Sequence, residues 1–160
     1  MRTLVARPLT EEAFAPYGEV LVAPTEFGRA YIERALANGR PDAAPSLSFS
    51  LAKPIASLPL RAVQMERHEF SSQSFVPMDA GHWFVIVAPK RADGQPDARR
   101  AEAFVAGPGQ GVTYGKNVWH HPLSVIGEPI RFAIFMWLTR GKGDEEFVQL
   151  DEPFDVALNA

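Results

Sequence analysis

Punctuation is what most limits the fold of this chain. Twelve glycines and fourteen prolines run through its 160 residues, and from Leu47 onward they cut the sequence into short apolar runs of strand length. Proline cannot donate to a backbone ladder and either residue weakens a long helix, so the pattern calls for many short strands joined by turns. Residues 47–52 alternate Leu47, Phe49 and Leu51 with Ser48 and Ser50. That is the period of a half-buried strand, with the leucines and phenylalanine expected to face the core. Further strands are expected at 62–68, 74–77, 83–88, 103–105, 111–114, 118–123 and 131–138, with one more at 147–150. Residues 89–100, polar and centred on Asp93-Gly94, read as a hairpin-like loop. Ahead of these, 9–17 reads as a short helix capped by Thr10, with Glu11 and Glu12 at its positive end. A strand at 19–22, a second short helix at 31–37 and a loop at 40–45 complete the reading. No repeat or linker divides the chain. The expectation is one all-β domain over 1–160, a sandwich or barrel with short peripheral helices.

A chain of this length buries roughly 70% of its unfolded surface and needs no staples. It has no cysteine, which excludes disulfides, zinc–thiolate sites and thiol nucleophiles. Lys and Arg number 16 against 19 Asp and Glu, a net charge of −3 that argues against binding nucleic acid by bulk electrostatics. Lys90, Arg91, Arg99 and Arg100 read as a solvated turn. The longest apolar runs, 83–89 and 132–138, are too short to cross a membrane. Arg7 interrupts the only apolar stretch at the N-terminus, so no export signal is expected and the location expected is cytoplasmic. Residues 132–137 are apolar on both alternating faces, which places that strand inside one subunit or against a second.

Chemistry has few carriers here. There is no HExxH, Walker loop, GxSxG or GxGxxG, and the only histidines are His68, His82, His120 and His121. Adjacent residues on a regular strand point to opposite faces, so His120 and His121 should diverge. His68 is expected at the end of one strand, with Gln73 opening the next. Imidazoles from separate strands can converge inside a barrel as metal ligands or proton carriers. The plainer alternative for each is a structural histidine bonded to a backbone carbonyl. His82, beside Gly81, reads as a loop residue.

Three stretches carry a resemblance: Met65-Glu66-Arg67-His68; Ser72-Gln73-Ser74-Phe75-Val76-Pro77; and Gly111-Val112-Thr113-Tyr114 leading into Asn117-Val118-Trp119-His120-His121-Pro122-Leu123. Together with the opening from Leu9 to Val20, they are similar to the ureidoglycolate lyase family. The resemblance implies a cupin barrel, a double-stranded antiparallel β-helix of jelly-roll type, working as a homodimer in allantoin and purine breakdown. The reaction it implies splits ureidoglycolate into glyoxylate and urea, and nickel is associated with the family. Within the cupin pattern His68 and Gln73 fall near the His and Glu of the first motif, and His120 on the His of the second. The implied metal set is therefore His68, Gln73 and His120, with His68 and His120 also the catalytic pair. Lys116 would hold the substrate carboxylate, and Ser72 and Tyr114 would touch the substrate. Two neutral imidazoles and an amide bring no negative charge, so such a site would hold a divalent ion weakly until an anionic hydroxy-acid completed it. Two departures, Phe135-Met136-Trp137-Leu138 where the family carries an Asp-Arg pair and a poorly matching stretch at 28–54, keep other readings open. These are a diverged cupin enzyme acting on another small carboxylate and a non-catalytic binding cupin.

Overall fold

In the computed structural model, which describes residues 1–159, the punctuated sequence becomes thirteen strands in two sheets. In chain order they are β1 (Thr3–Val5), β2 (Arg7–Pro8), β3 (Gly18–Leu21), β4 (Ala44–Ala52), β5 (Leu60–Arg67), β6 (Gln73–Pro77) and β7 (His82–Ala88). Then follow β8 (Glu102–Ala106), β9 (Gly111–Tyr114), β10 (Trp119–His120), β11 (Ser124–Ile126), β12 (Ile130–Leu138) and β13 (Glu146–Ala157). The larger sheet runs β1-β13-β5-β10-β7-β8-β2, with β11 also on β7, and the smaller runs β3-β9-β6-β12-β4. Neighbours are antiparallel except where β1 lies along β13 and β2 along β8. This is the expected antiparallel barrel of cupin type.

Between the sheets, Phe75, Val112, Tyr114 and Phe132 from the smaller pack against Trp83, Val85, Val87 and Phe104 from the larger. A second core on the far side of the larger sheet gathers Met65, Phe84, Ile86, Trp119 and Phe154. Strand β7 is therefore buried on both faces, which is why its sequence is an unbroken apolar run.

Helix is scarce. Thr10 caps α1 (Glu11–Phe14), its hydroxyl accepting from Ala13 N at 3.2 Å, but the helix stops after four residues. The expected helix at 31–37 does not form. Its partners are tertiary instead: the Arg34 side chain donates to the Gly18 carbonyl, Ala35 N to Glu19 Oε1 and Ala37 N to Ser72 Oγ. Asn38 then bridges to Ser71. Fixed partners elsewhere in the fold outweigh a weak local propensity.

Strand β4 forms, but with its faces reversed from expectation. Its partner β12 sets Phe132 opposite Ser50, Ile134 opposite Ser48 and Met136 opposite Ser46. Phe132 is fully buried, so the serines point to its face, Ser46 and Ser50 half-buried and Ser48 exposed. Leu47, Phe49 and Leu51 are left 64–69% exposed on the outside. Strand β13 runs well past the expected 147–150, because a register shift between Gln149 and Phe154 accommodates Pro153. The expected strand at 118–123 contracts to β10, and β11 follows after Pro122.

Candidate metal and proton-transfer site

Glu66 and His68 are two apart at the end of β5, so both turn to the interior while Arg67 turns out. Arg67 stacks over the Trp119 ring at 4.6 Å and pairs with Glu146 at 2.7 Å. On β10 the same alternation buries Trp119 in the outer core and sends His120 inward, in register opposite Glu66. The result is a cluster in which Glu66, His68 and His120 each offer a ligand atom within 4.8 Å of the others. The two imidazole centroids are 5.5 Å apart.

Backbone carbonyls fix both tautomers. His68 Nδ1 donates to the Asp144 carbonyl at 2.8 Å and His120 Nδ1 to the Val118 carbonyl at 3.0 Å. A carbonyl can only accept, so each Nδ1 carries a proton, and in the neutral ring the lone pair sits on Nε2. Both Nε2 atoms are buried without a hydrogen-bond partner, and so is Gln73 Oε1, whose amide nitrogen reaches only Met136 Sδ at 3.7 Å. His120 Nε2 stands 3.2 Å from Glu66 Oε1, close enough for an ion pair but not aligned as a hydrogen bond. Buried acceptors left unpartnered are rare in folded proteins. Two ring nitrogens, a carboxylate and an amide oxygen with no donor among them make a set that fits a cation.

The protonation states agree. Burial, helped by the neighbouring His120, pushes the His68 pKa down and keeps the ring neutral. Burial alone would raise Glu66, but the His120 imidazole 3.2 Å away, with smaller help from His68, outweighs it and holds the carboxyl below its usual range. Neutral imidazole and ionised carboxylate are the forms that bind metal.

Tyr114 lies flat on His120, ring centroids 4.0 Å apart and planes 10° from parallel. Burial holds its hydroxyl protonated. Only glycine fits opposite it on β3, since a Cβ at Gly18 would stand 1.9 Å from the Thr113 carbonyl. Of the other expected contacts, Ser72 is buried with its hydroxyl engaged by Ala37, accepting from the amide at 2.9 Å and donating to the carbonyl at 3.3 Å. Lys116 is exposed, its stem and ammonium against Gly39. His82 is exposed at the start of β7. His121 lies outside the cluster, its Nδ1 donating to the Pro122 carbonyl at 2.9 Å and to Ser124 Oγ at 3.0 Å. The residue missed in the sequence is Glu66, although its spacing of two from His68 on a strand marks it as sharing that face. Counting it gives the cluster a negative charge, so the expectation of a chargeless site does not stand.

A two-sheeted barrel with an acid and two histidines meeting in its interior belongs to the cupin class. A crystal structure of a dTDP sugar isomerase from Desulfovibrio desulfuricans G20 shares this fold, with a TM-score of 0.52 at 17% identity over 84% of this chain and 83% of that one. The chain belongs to the ureidoglycolate lyase family, whose sequence model matches residues 1–157. It is 37% identical to a ureidoglycolate lyase of Chelativorans sp. BNC1, covering 99% of this chain and 98% of the relative. Ureidoglycolate lyase 1 of Rhizobium meliloti 1021 is 38% identical over 94% of this chain and 91% of its own.

Proposed function

We propose that the protein is a carbon–nitrogen lyase that cleaves ureidoglycolate to glyoxylate and urea in purine nitrogen breakdown. What carries this reading is the buried cluster of Glu66, His68 and His120 inside a chain that matches the family over nearly its whole length. The substrate is a carbinolamide bearing a carboxylate. Its cleavage removes the hydroxyl proton, forms the C=O of glyoxylate as the C–N bond breaks, and returns a proton to the departing urea nitrogen. His120 is the residue assigned to take and return that proton, because its free Nε2 faces Glu66, whose charge stabilises the imidazolium between the two steps. His68, neutral and held from behind, orients the substrate hydroxyl. Tyr114 fixes the plane of His120, and Lys116 meets the substrate carboxylate at the exposed end.

A divalent cation, with nickel the first to test, would be held by Glu66 and by the same Nε2 atoms of His68 and His120, with the Gln73 amide oxygen in reach as a further donor, and the proton-transfer role of His120 belongs to the metal-free site. When bound it supplies charge that acidifies the substrate hydroxyl. The carboxylate of Glu66 supports firmer binding than two imidazoles and an amide alone.

The test is urea release from racemic ureidoglycolate, corrected for spontaneous decay, with and without added nickel. Enzymatic urea formation that is lost in His120→Ala supports the assignment. A rate no greater than spontaneous decay, at every metal tested, sinks it. The apolar Phe135-Met136-Trp137-Leu138 stretch favours a second reading, in which the same site acts on a different small carboxylate.

We further infer that the chain is a single domain working in the cytoplasm as a homodimer, with the outer face of β4 against a second copy. That face carries Leu47, Phe49 and Leu51, flanked by Val76 at 45% exposure, and β4 contains no charged residue. It is also the free edge of its sheet. Across β4, β12 and β6 this face spans roughly 400 Å² in flat projection. A patch of that size fits the apolar centre of the ~800 Å² each partner gives to a standard interface. An uncharged strip also meets its own copy about a two-fold axis without like-charge repulsion.

A further inference from the structure

His68 is held from behind by a device outside the cluster. Its Nδ1 donates to the carbonyl of Asp144, in the turn between β12 and β13. The conformation of that turn is fixed by Asp144's own side chain. The carboxylate accepts from Thr139 N at 2.9 Å, Thr139 Oγ1 at 2.9 Å, Arg140 N at 2.8 Å and Arg40 Nη2 at 2.7 Å. Arg140 at φ 66° and Gly143 at φ 89° fold the turn back so that two backbone amides reach one carboxylate. Arg40 arrives from far along the chain, its guanidinium 5.3 Å over the Phe70 ring, and both members of the ion pair are only 14% exposed. The segment that brings Arg40 is itself fastened to the turn following His68: Gly39 N donates to the Phe70 carbonyl at 2.7 Å, and Ser72 N to the Ala37 carbonyl at 3.0 Å.

A neutral imidazole has two tautomers of similar energy in water, so the nitrogen that is free to act is chosen by what the other one bonds. We propose that Asp144, clamped by Arg40, is the positioning residue that holds His68 as the Nδ1–H tautomer with Nε2 turned into the cluster. It touches neither substrate nor metal and acts through its own backbone carbonyl. The stretch at 28–54, whose role the sequence left open, thereby contributes through Arg40 to the geometry of the site. The inference rests on the reading of His68 as a site residue.

Imidazole ¹⁵N–¹H correlation spectra of the metal-free protein at neutral pH test it, with only four histidines to assign. The wild type should show His68 protonated at Nδ1. In Asp144→Ala the two His68 nitrogen signals should move toward the average of both tautomers, while His120, bonded to Val118, stays unchanged. Arg40→Ala should move them in the same direction by less, and Arg40→Lys should restore part of the difference. Urea release should fall about 10-fold or more in Asp144→Ala, the scale of losing a group that orients a site histidine. Half-buried Asp79→Ala, which breaks only the side-chain and backbone bonds to Arg131, should change neither readout. If Asp144→Ala does not fold, the Arg40 pair carries the test. Folded variants whose His68 stays wholly Nδ1–H overturn the proposal. A wild type that shows the tautomer shift on mutation but releases no urea overturns the lyase reading and leaves the positioning role standing.

Discussion

Glu66 and His120 stand opposite one another on β5 and β10, with Oε1 and Nε2 3.2 Å apart. That juxtaposition brings the only carboxylate of the cluster against the imidazole assigned to proton transfer. Replacing Glu66 with Gln keeps the shape and removes the charge. Nickel affinity, measured by calorimetry, should fall 10-fold or more, and turnover should fall ~10²-fold through loss of support for the imidazolium. A Glu66→Gln variant with wild-type affinity and turnover would remove the carboxylate from the site.

The adjacent histidines should separate cleanly. His120→Ala deletes the inward imidazole, so turnover should fall ~10²-fold or more with the fold retained. His121→Ala loses the bonds to Pro122 and Ser124, which keep each other as partners, so stability should fall by about 0.5–1.5 kcal/mol with kcat near wild type below the melting range. Thermal melts paired with kcat measurements check this. A folded, inactive His121→Ala beside an active His120→Ala would reverse the assignment of faces.

Acid should destabilise the protein in two stages. Burial depresses the pKa of both His68 and His121, so the unfolded chain takes up protons near pH 6.5 that the folded chain resists. Their contribution to stability is complete above about pH 6.5 and is lost progressively as the pH falls below it toward the lower folded values. Glu66 and Asp144 are held below the carboxylate range, so their contribution is present above the unfolded value near pH 4 and disappears at lower pH. Urea-unfolding midpoints should be flat from pH 8 to 7, then fall through pH 6 and 5. His121→Ala should make the first fall shallower, and an unchanged slope would contradict the role of burial.

Much of this was legible in the sequence because the signals are local. Glycine and proline mark the turns, and the run at 111–114 gave its strand to the residue. The Trp119-His120-His121 alternation correctly sent His120 away from its neighbours. What the sequence hid depends on partners far along the chain. Strands β1 and β2 have two or three residues each and exist only because β13 and β8 accept them in parallel. Alternation in β4 shows two unlike faces, but only the burial of Phe132 on β12 says which points inward. Asp144 reaches the site through its carbonyl, which carries no residue-specific signal at all. Glu66 was within reach, since a carboxylate two before a strand histidine shares its face, and it was obscured by the cupin pattern that puts the acid at Gln73.

The reversed faces of β4 lead to the last expectation. A strand with serines inside and Leu47, Phe49 and Leu51 outside is costly for an isolated subunit, since each exposed large side chain forgoes about 1.5–3 kcal/mol of burial. A long uncharged edge also invites pairing. Light scattering at micromolar concentration should therefore give twice the 17.6 kDa chain mass. Phe49→Glu places a charge at the middle of the strip and faces it with its own copy across the two-fold axis, so this variant should run as a folded monomer. Because association with a second copy stabilises the folded chain, the monomer should also melt at lower temperature. A wild type at the single-chain mass rules out the dimer. A Phe49→Glu variant that remains dimeric moves the interface to another face.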